Sequence, residues 1–348
     1  MPRYSVIEAD VRNNKDDILS ILTKNLDGQS PSRYEWNYNQ CPYGAAHCWL
    51  ARDEQSNTFI GTTALFPRVI LVKGDPVYAA IAGDFAVDIQ HRNLITALSL
   101  QKEIRSKIYD TNFKFIYSLP NEQAKGIFLR LGHRKIGRFT YFIKPLKSEY
   151  QNNKHIHSLL RFKIFARVVD IFIKNFAKEK RYKTTLKYSI ITPEYFDDRF
   201  DVFWKNVSNH FTIIGERTSF FLNWRYIQSP VKNYKIFCLS DEHNDIIGYI
   251  VYYLEDNMCY IRDMLFEPST EVICSLLAEF SRFIRMKGVG SITVDYLGSS
   301  LFEKKLREFN FLPIKNETDL LFYSPDMADN PDLLKKENWH FFAGDNDV

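Results

Sequence analysis

Apolar runs and polar turns alternate along this chain in one order, written twice. Trp36 is followed by the strand-like HCWLARD, the turn-rich EQSN and the long apolar run TFIGTTALFPRVILV; Trp224 is followed by YKIFCLSD, the turn EHND and IIGYIVYYL. An apolar run, a polar turn and a second run opened by an Ile-Gly pair predict a β-hairpin in each half. A strand comes next in both, YAAIAGDFAV in the first half and MCYIRDMLF in the second. In the helix predicted after the first of these, Leu94, Ala97, Leu98, Ile104 and Ile108 sit largely at helical spacing, and TEVICSLLAEFSRFIRMKG answers it. A short strand (FKFIYSL, SITVDYL), a short helix and a last strand complete each half. Hairpin, strand, helix, strand, helix, strand describes an α+β or α/β domain on a mixed sheet, flanked by helices.

Both copies open with W-x-Y-x-Q-x-P, as WNYNQCP from Trp36 and WRYIQSP from Trp224. The length of 348 residues suits two domains. The pattern divides the chain into residues 1–150, a helical linker at 151–185 and residues 186–348. The repeated motif is read as architecture closing the end of each core, or else as the lining of an acceptor groove between domains.

The linker carries the charge. Residues 154–183 hold nine Lys or Arg against Asp170 and Glu179, a local +7 within a chain of net +4. Phe162, Phe165, Val169, Phe172 and Phe176 recur on one helical stripe, with Lys163, Arg167, Lys174 and Lys178 opposite. A helix over 158–178 with these two faces fits either an anionic membrane surface or a packed linker between domains. No apolar run approaches a membrane span and the N-terminus lacks a signal-like apolar core, so a cytoplasmic protein is expected, with peripheral contact to the inner membrane face as an option. The five cysteines form no C-x-x-C and are read as reduced and packed. No metal is expected, no nucleic-acid module is present, and the oligomeric state is open. The absence of G-x-S-x-G, H-E-x-x-H and a P-loop removes the main support for hydrolase, zinc-protease and nucleotidase readings.

The stretch NEQAKGIFLRLGH, residues 121–133, resembles the element that closes the acyl-CoA site in the GCN5-related N-acetyltransferase superfamily. Asn121, Ala124, Phe128, Gly132 and His133 fall at its spacing. Upstream, where that superfamily has its pyrophosphate loop, the chain reads Arg92, Asn93, Leu94, Ile95, Thr96, Ala97; Arg92 and Ala97 fit, and Ile95 replaces a glycine. The resemblance implies two tandem domains of this fold and acetyl-CoA or another acyl-CoA as co-substrate, bound by Phe85, Ala86, Val87, residues 92–97, Asn121, Ala124 and Phe128. A loop entering a helix presents unpaired amides and a positive dipole end, which suit a pyrophosphate. The second half has Glu267 and Glu271 in that place and is read as a structural or acceptor-binding partner.

Acyl transfer from a thioester to an amine needs a neutral amine and a polarised carbonyl. Asp84 is the first candidate base. The superfamily's usual tyrosine acid is Phe128 here, and Tyr117 is the candidate substitute. The acceptor implied is a small primary amine, including an amino sugar of a cell-surface polysaccharide or lipid-linked precursor. The rival readings are a non-catalytic binding protein on a degenerate fold, for which Ile95 and Phe128 argue, and an aminoacyl-transferring relative.

Overall fold

The computed structural model describes residues 3–147, 177–326 and 331–347. The first half contributes β1 (Tyr4–Ala9), β2 (His47–Asp53), β3 (Thr58–Val72), β4 (Asp75–Val87), β5 (Phe115–Ser118) and β6 (Arg134–Pro145). The second contributes β7 (Ser189–Ile191), β8 (Ile213–Gly215), β9 (Lys235–Ser240), β10 (Ile246–Glu255), β11 (Met258–Phe266), β12 (Ser291–Gly298), β13 (Leu312–Tyr323) and β14 (His340–Phe342). Five longer helices matter below: α1 (Lys15–Asn25), α2 (Leu94–Lys107), α3 (Glu122–Arg130), α4 (Thr270–Met286) and α5 (Ser300–Glu308).

The strands form one mixed sheet in the order β1-β2-β3-β4-β5-β13-β6-β12-β11-β10-β9-β7, with β8 beside β3 and β14 beside β12. Read from either edge the succession is equivalent. Each half supplies five strands outward from the centre and sends one strand, β6 or β13, against the other half's edge. Residues 1–150 and 186–348 therefore do not build two separate sheets, as the sequence division suggests. β13 pairs with β5 through Leu321 opposite Ser118, and β6 pairs with β12 through Phe142 opposite Val294. Local details repeat too. The turn between β3 and β4 places Lys73 and Gly74 at positive φ, and that between β10 and β11 places Asp256 and Asn257 there, the backbone of a tight hairpin with the twist of its strands. After α3 the amide of His133 bonds back to the Phe128 carbonyl, and after α5 that of Phe311 bonds back to Leu306, with Gly132 and Asn310 in the left-handed region.

The repeated tryptophans meet each other. Trp36 and Trp224 stack with centroids 5.0 Å apart. The indole of each donates to the backbone carbonyl of the other, at 2.8 and 3.2 Å. Arg68 lies over the Trp224 ring and Arg225 over Trp36. Both motifs form short π-helical turns, Glu35–Asn39 and Asn223–Ile227. The motif is architecture, as one sequence reading has it, but it joins two copies instead of closing each core.

All five cysteines are free and buried. The helix expected at 158–178 falls almost wholly outside the described residues. Among the described residues, no helix is long and apolar enough to cross a membrane.

Two core histidines give this fold an acid limit. Burial pushes both His133 and His340 down to about 3 from an ordinary value of 6.5. The unfolded chain takes up these protons near pH 6.5 and the folded chain does not, so stability present above that pH is lost as pH falls toward 3. The two together should steepen the loss by about 2.7 kcal/mol per pH unit below 6. Urea denaturation at pH 7.5 and 5.5 checks this, with His133→Phe expected to remove about half of that slope.

Candidate active site

β4 and β5 run parallel only from Ala79 opposite Phe115 to Ala82 opposite Ser118. Beyond that point β5 ends and turns into α3, while β4 continues to Val87. The strands part here because β4 bulges. Gly83 pairs with Ala64 and Ala86 with Thr62, so Asp84 and Phe85 together face Thr63 on β3. A bulge bends its strand and leaves an amide out of the ladder. Asp84 is the strained residue, at φ 47, in the left-handed region that a non-glycine residue occupies at a cost.

The Asp84 carboxylate stabilises that conformation. Arg33, from the helical turn Pro31–Tyr34, donates to both its oxygens at 3.0 Å, and the Tyr38 hydroxyl donates at 2.9 Å. A carboxylate already holding a buried guanidinium and a phenol has little capacity to take a proton from a substrate. The expected base is thus occupied as the pin of the bulge.

Two contiguous cavities open where the strands part. The outer, about 470 Å³, is bordered by Ala86, Val87, Arg92, Asn93, Leu94, Ala97, Gln123, Ile127 and Arg130. The inner, about 350 Å³, is bordered by Asp27, Gly28, Gln29, Arg33, Gly83, Asp84, Phe128, Val231 and Asp347. Leu26, Phe85, Asn121 and Ala124 border both. Of the residues expected from sequence, Ile95, Thr96 and Tyr117 border neither. Ile95 stands exposed, so the missing glycine puts no side chain across the approach to the helix start. Thr96 is buried. Tyr117 is buried, its hydroxyl donates to the Asp345 carbonyl at 3.1 Å, and burial pushes its pKa up. A phenol so placed cannot serve a leaving group in the cleft, which corrects its expected role as acid.

The loop before α2 is more committed than its sequence suggests. The amides of Arg92, Asn93 and Ala97 bond to backbone carbonyls, and that of Thr96 to the Asn93 side chain. Leu94 and Ile95 keep the two amides that the start of a helix leaves unpaired. Arg92 folds back so that its Nε donates to the Val87 carbonyl at 2.8 Å and its Nη2 to Asn25 Oδ1 at 3.3 Å; Arg92 and Arg130 both border the outer cavity. Two amides, a helix dipole and two guanidiniums fit the phosphates of a coenzyme A thioester. Asn121 caps α3, accepting from the Ala124 amide at 2.9 Å.

Several residues here escaped the sequence reading: the loop Leu26–Gln29, Arg33, Arg130, Val231 from the second half, and Asp347. Gly28, at φ 73, and the turn-rich DGQSPS marked the loop as structured.

No family model and no characterised sequence matches the chain. Solved structures do. A conserved protein of unknown function from Enterococcus faecalis V583, described as a probable N-acyltransferase, aligns at TM-score 0.68 and 10% identity, over 94% of this chain and 74% of its own. N-myristoyltransferase of Saccharomyces cerevisiae with bound myristoyl-CoA aligns at TM-score 0.61 and 13% identity, over 93% and 79%. A GCN5-related N-acetyltransferase from Anabaena variabilis ATCC 29413 gives TM-score 0.61 and 14% identity, over 92% and 72%. The fold is that of the GCN5-related N-acetyltransferases. The parted strands, the bulge and the loop entering α2 all lie in the first half of the chain.

Proposed function

We propose that the chain transfers an acyl group from acyl-CoA to a primary amine, with acetyl-CoA as the first donor to test. One observation carries this reading: the outer cavity is bordered both by Phe85, Ala86 and Val87 of the bulged β4 and by Arg92, Asn93 and Leu94 at the start of α2, so a thioester carbonyl and its phosphates have places in one cleft. The neighbouring structures described as N-acyltransferases, one of them holding myristoyl-CoA, support the reaction class. The strand segment Phe85–Val87 supplies backbone donors beside the thioester, where polarisation of the carbonyl has its effect. Phe128 offers no proton, so the thiolate leaves as the weak base that a thiol of ordinary pKa gives. The acceptor reaches the inner cavity, and Val231 also borders a further cavity of about 460 Å³ walled by Tyr226, Tyr234, Lys232 and Glu194. An acceptor larger than a simple amine would extend past Val231 toward the second half, and an amino sugar is the class to try first.

Calorimetric titration with acetyl-CoA, followed by CoA release with a panel of amines including glucosamine, tests the proposal. Arg92→Glu or Arg130→Glu should weaken acetyl-CoA binding at least about tenfold, the worth of one charge-assisted contact. Arg307→Glu on α5 should leave it within about twofold, since exposed charges remote from a site contribute little. Absence of binding by the unaltered protein at millimolar acetyl-CoA, or equal effects at Arg92 and Arg307, would sink the assignment.

A further inference from the structure

The second half parts its strands as the first does, and then fills the gap itself. β11 and β12 run parallel from Met258 opposite Ser291 to Ile261 opposite Val294. There β14 enters, antiparallel to β12, with His340 opposite Gly298 and Phe342 opposite Tyr296. Arg262 of β11 donates to the Ala343 carbonyl at 2.9 Å. Trp339 and Phe341 pack into the core of the first half and Phe342 into that of the second, so the strand belongs to both. The start of α4 is covered as well, because Glu271 accepts from the amides of Thr185 and Leu186 at 3.2 and 3.3 Å.

Beyond β14 four successive carbonyls are each held by a side chain. Arg262 holds Ala343, Arg225 Nε holds Gly344 at 3.0 Å, Tyr117 holds Asp345 at 3.1 Å, and Arg225 Nη2 holds Asn346 at 2.7 Å. Arg217 also donates to the Asp345 carboxylate at 2.8 Å. Burial alone could be achieved with apolar contacts. Arg225 is only 4% exposed and its guanidinium faces carbonyls and the Trp36 ring, a costly way to bury a cation. What this arrangement fixes is the next residue. Asp347 borders the inner cavity, and a methyl group built on Gly83 would stand 1.9 Å from its Oδ2, which puts the carboxyl against the bulge of β4.

We propose that the second half has turned its own cleft into a seat for residues 340–346, and that this seat holds the Asp347 carboxylate in the first cleft as the base for the acceptor. The inference rests on the acyl-transfer reading above. An ammonium acceptor must lose a proton before it attacks. The carboxylate takes that proton; the neutral amine then forms the C–N bond to the thioester carbon while the C–S bond breaks. The sulfur leaves with the electron pair and receives the second nitrogen proton, giving an amide and the free thiol. Among the described residues, the Asp347 side chain has no ion-pair or hydrogen-bond partner. The charged groups facing it are Asp84 of β4, Asp27 of the loop after α1, Arg33 of the turn Pro31–Tyr34, Arg68 of β3 and Arg225. Burial and then Asp84 push its pKa above the ordinary carboxylate value, against the pull of the three arginines. Rate should therefore rise with pH through that raised value.

Carbodiimide labelling of carboxyl groups, mapped by mass spectrometry with and without saturating acetyl-CoA, reads the placement without any acceptor. Asp347 should label in the free protein and be protected by acetyl-CoA, while Asp263 stays unlabelled in both. For turnover, with the amine giving the fastest CoA release, Asp347→Asn should lower kcat about a hundredfold or more and abolish the acid limb of the pH profile, with acetyl-CoA affinity retained. Arg225→Gln, acting through Asp347, should shift that limb, and the double variant should lose no more than Asp347→Asn alone. Tyr117→Phe removes one carbonyl contact without opening a cavity, so it tests the seat if Arg225→Gln fails to fold; a smaller loss with a shifted acid limb is expected. Equal labelling of Asp347 with acetyl-CoA bound, an unchanged pH profile in Asp347→Asn, or additive losses in the double variant would overturn the inference. Failure of acetyl-CoA to bind at all would instead remove the acyl-transfer reading, and calorimetry separates the two.

Discussion

Replacing Arg217 by methionine should destabilise the fold by about 3–5 kcal/mol, the loss that follows when one partner of a buried ion pair is removed. Arg217 is buried and donates to both oxygens of Asp263, at 2.9 and 3.2 Å, and to Asp345 at 2.8 Å. Tyr249 adds a hydrogen bond to Asp263 at 3.2 Å. Methionine matches much of the side-chain volume, so the change removes chiefly the cation and leaves two carboxylates in the core. The sign with pH follows. A buried carboxyl without its cation has a folded-state pKa above the unfolded value, so its penalty is greatest when ionised and shrinks as pH falls. Urea denaturation at pH 8 and pH 5 should show the deficit of Arg217→Met narrowing at the lower pH. Equal midpoints for variant and parent at pH 8 would mean that the network contributes no net stability.

What could be read in the sequence divides along a physical line. The order of hairpin, strand, helix, strand, helix, strand was legible because each element carries its own apolar period, and α2 and α4 begin close to where the spacing places them. The exchange of β6 and β13 was not legible, since any apolar strand can pair with any other and the choice lies in the tertiary fold. The same limit explains Asp84. It lies on the strand lining the cleft, but its partner Arg33 lies 51 residues away and nothing local announces the pair. Tyr117 looked available because it follows the strand toward Asn121; only the tail's course shows that its hydroxyl is engaged. The burial of the tail was not read from the sequence. It ends in acidic residues, yet Trp339, Phe341 and Phe342 just before them are buried. Three large aromatics within four residues already argued for burial, because each removes roughly 150–250 Å² from water. The tryptophan motif was visible as a repeat, and its purpose became visible only when Trp36 was found on Trp224.

The substitution Gly83→Ala should separate activity from stability more sharply than any change in the core. A Cβ at this position would meet Asp347 at 1.9 Å from Oδ2, 2.7 Å from the carboxyl carbon and 2.9 Å from its own Cβ. Those atoms form the end of a side chain near the end of the described tail, so they can move and the fold should tolerate the methyl group. The carboxyl must then shift by about 1 Å or more, and a displacement of that size at a reacting group costs on the order of a hundredfold in rate. Binding of acetyl-CoA should survive within about threefold, because Arg92, Leu94 and Arg130 border the outer cavity and not the inner one that Gly83 and Asp347 border. Melting temperature, acetyl-CoA affinity by calorimetry and kcat for amine-dependent CoA release, measured on one preparation, give the three readings. A hundredfold loss of kcat with the other two preserved places the Asp347 carboxyl among the reacting groups; full activity in Gly83→Ala would show that the acceptor's proton leaves by another route.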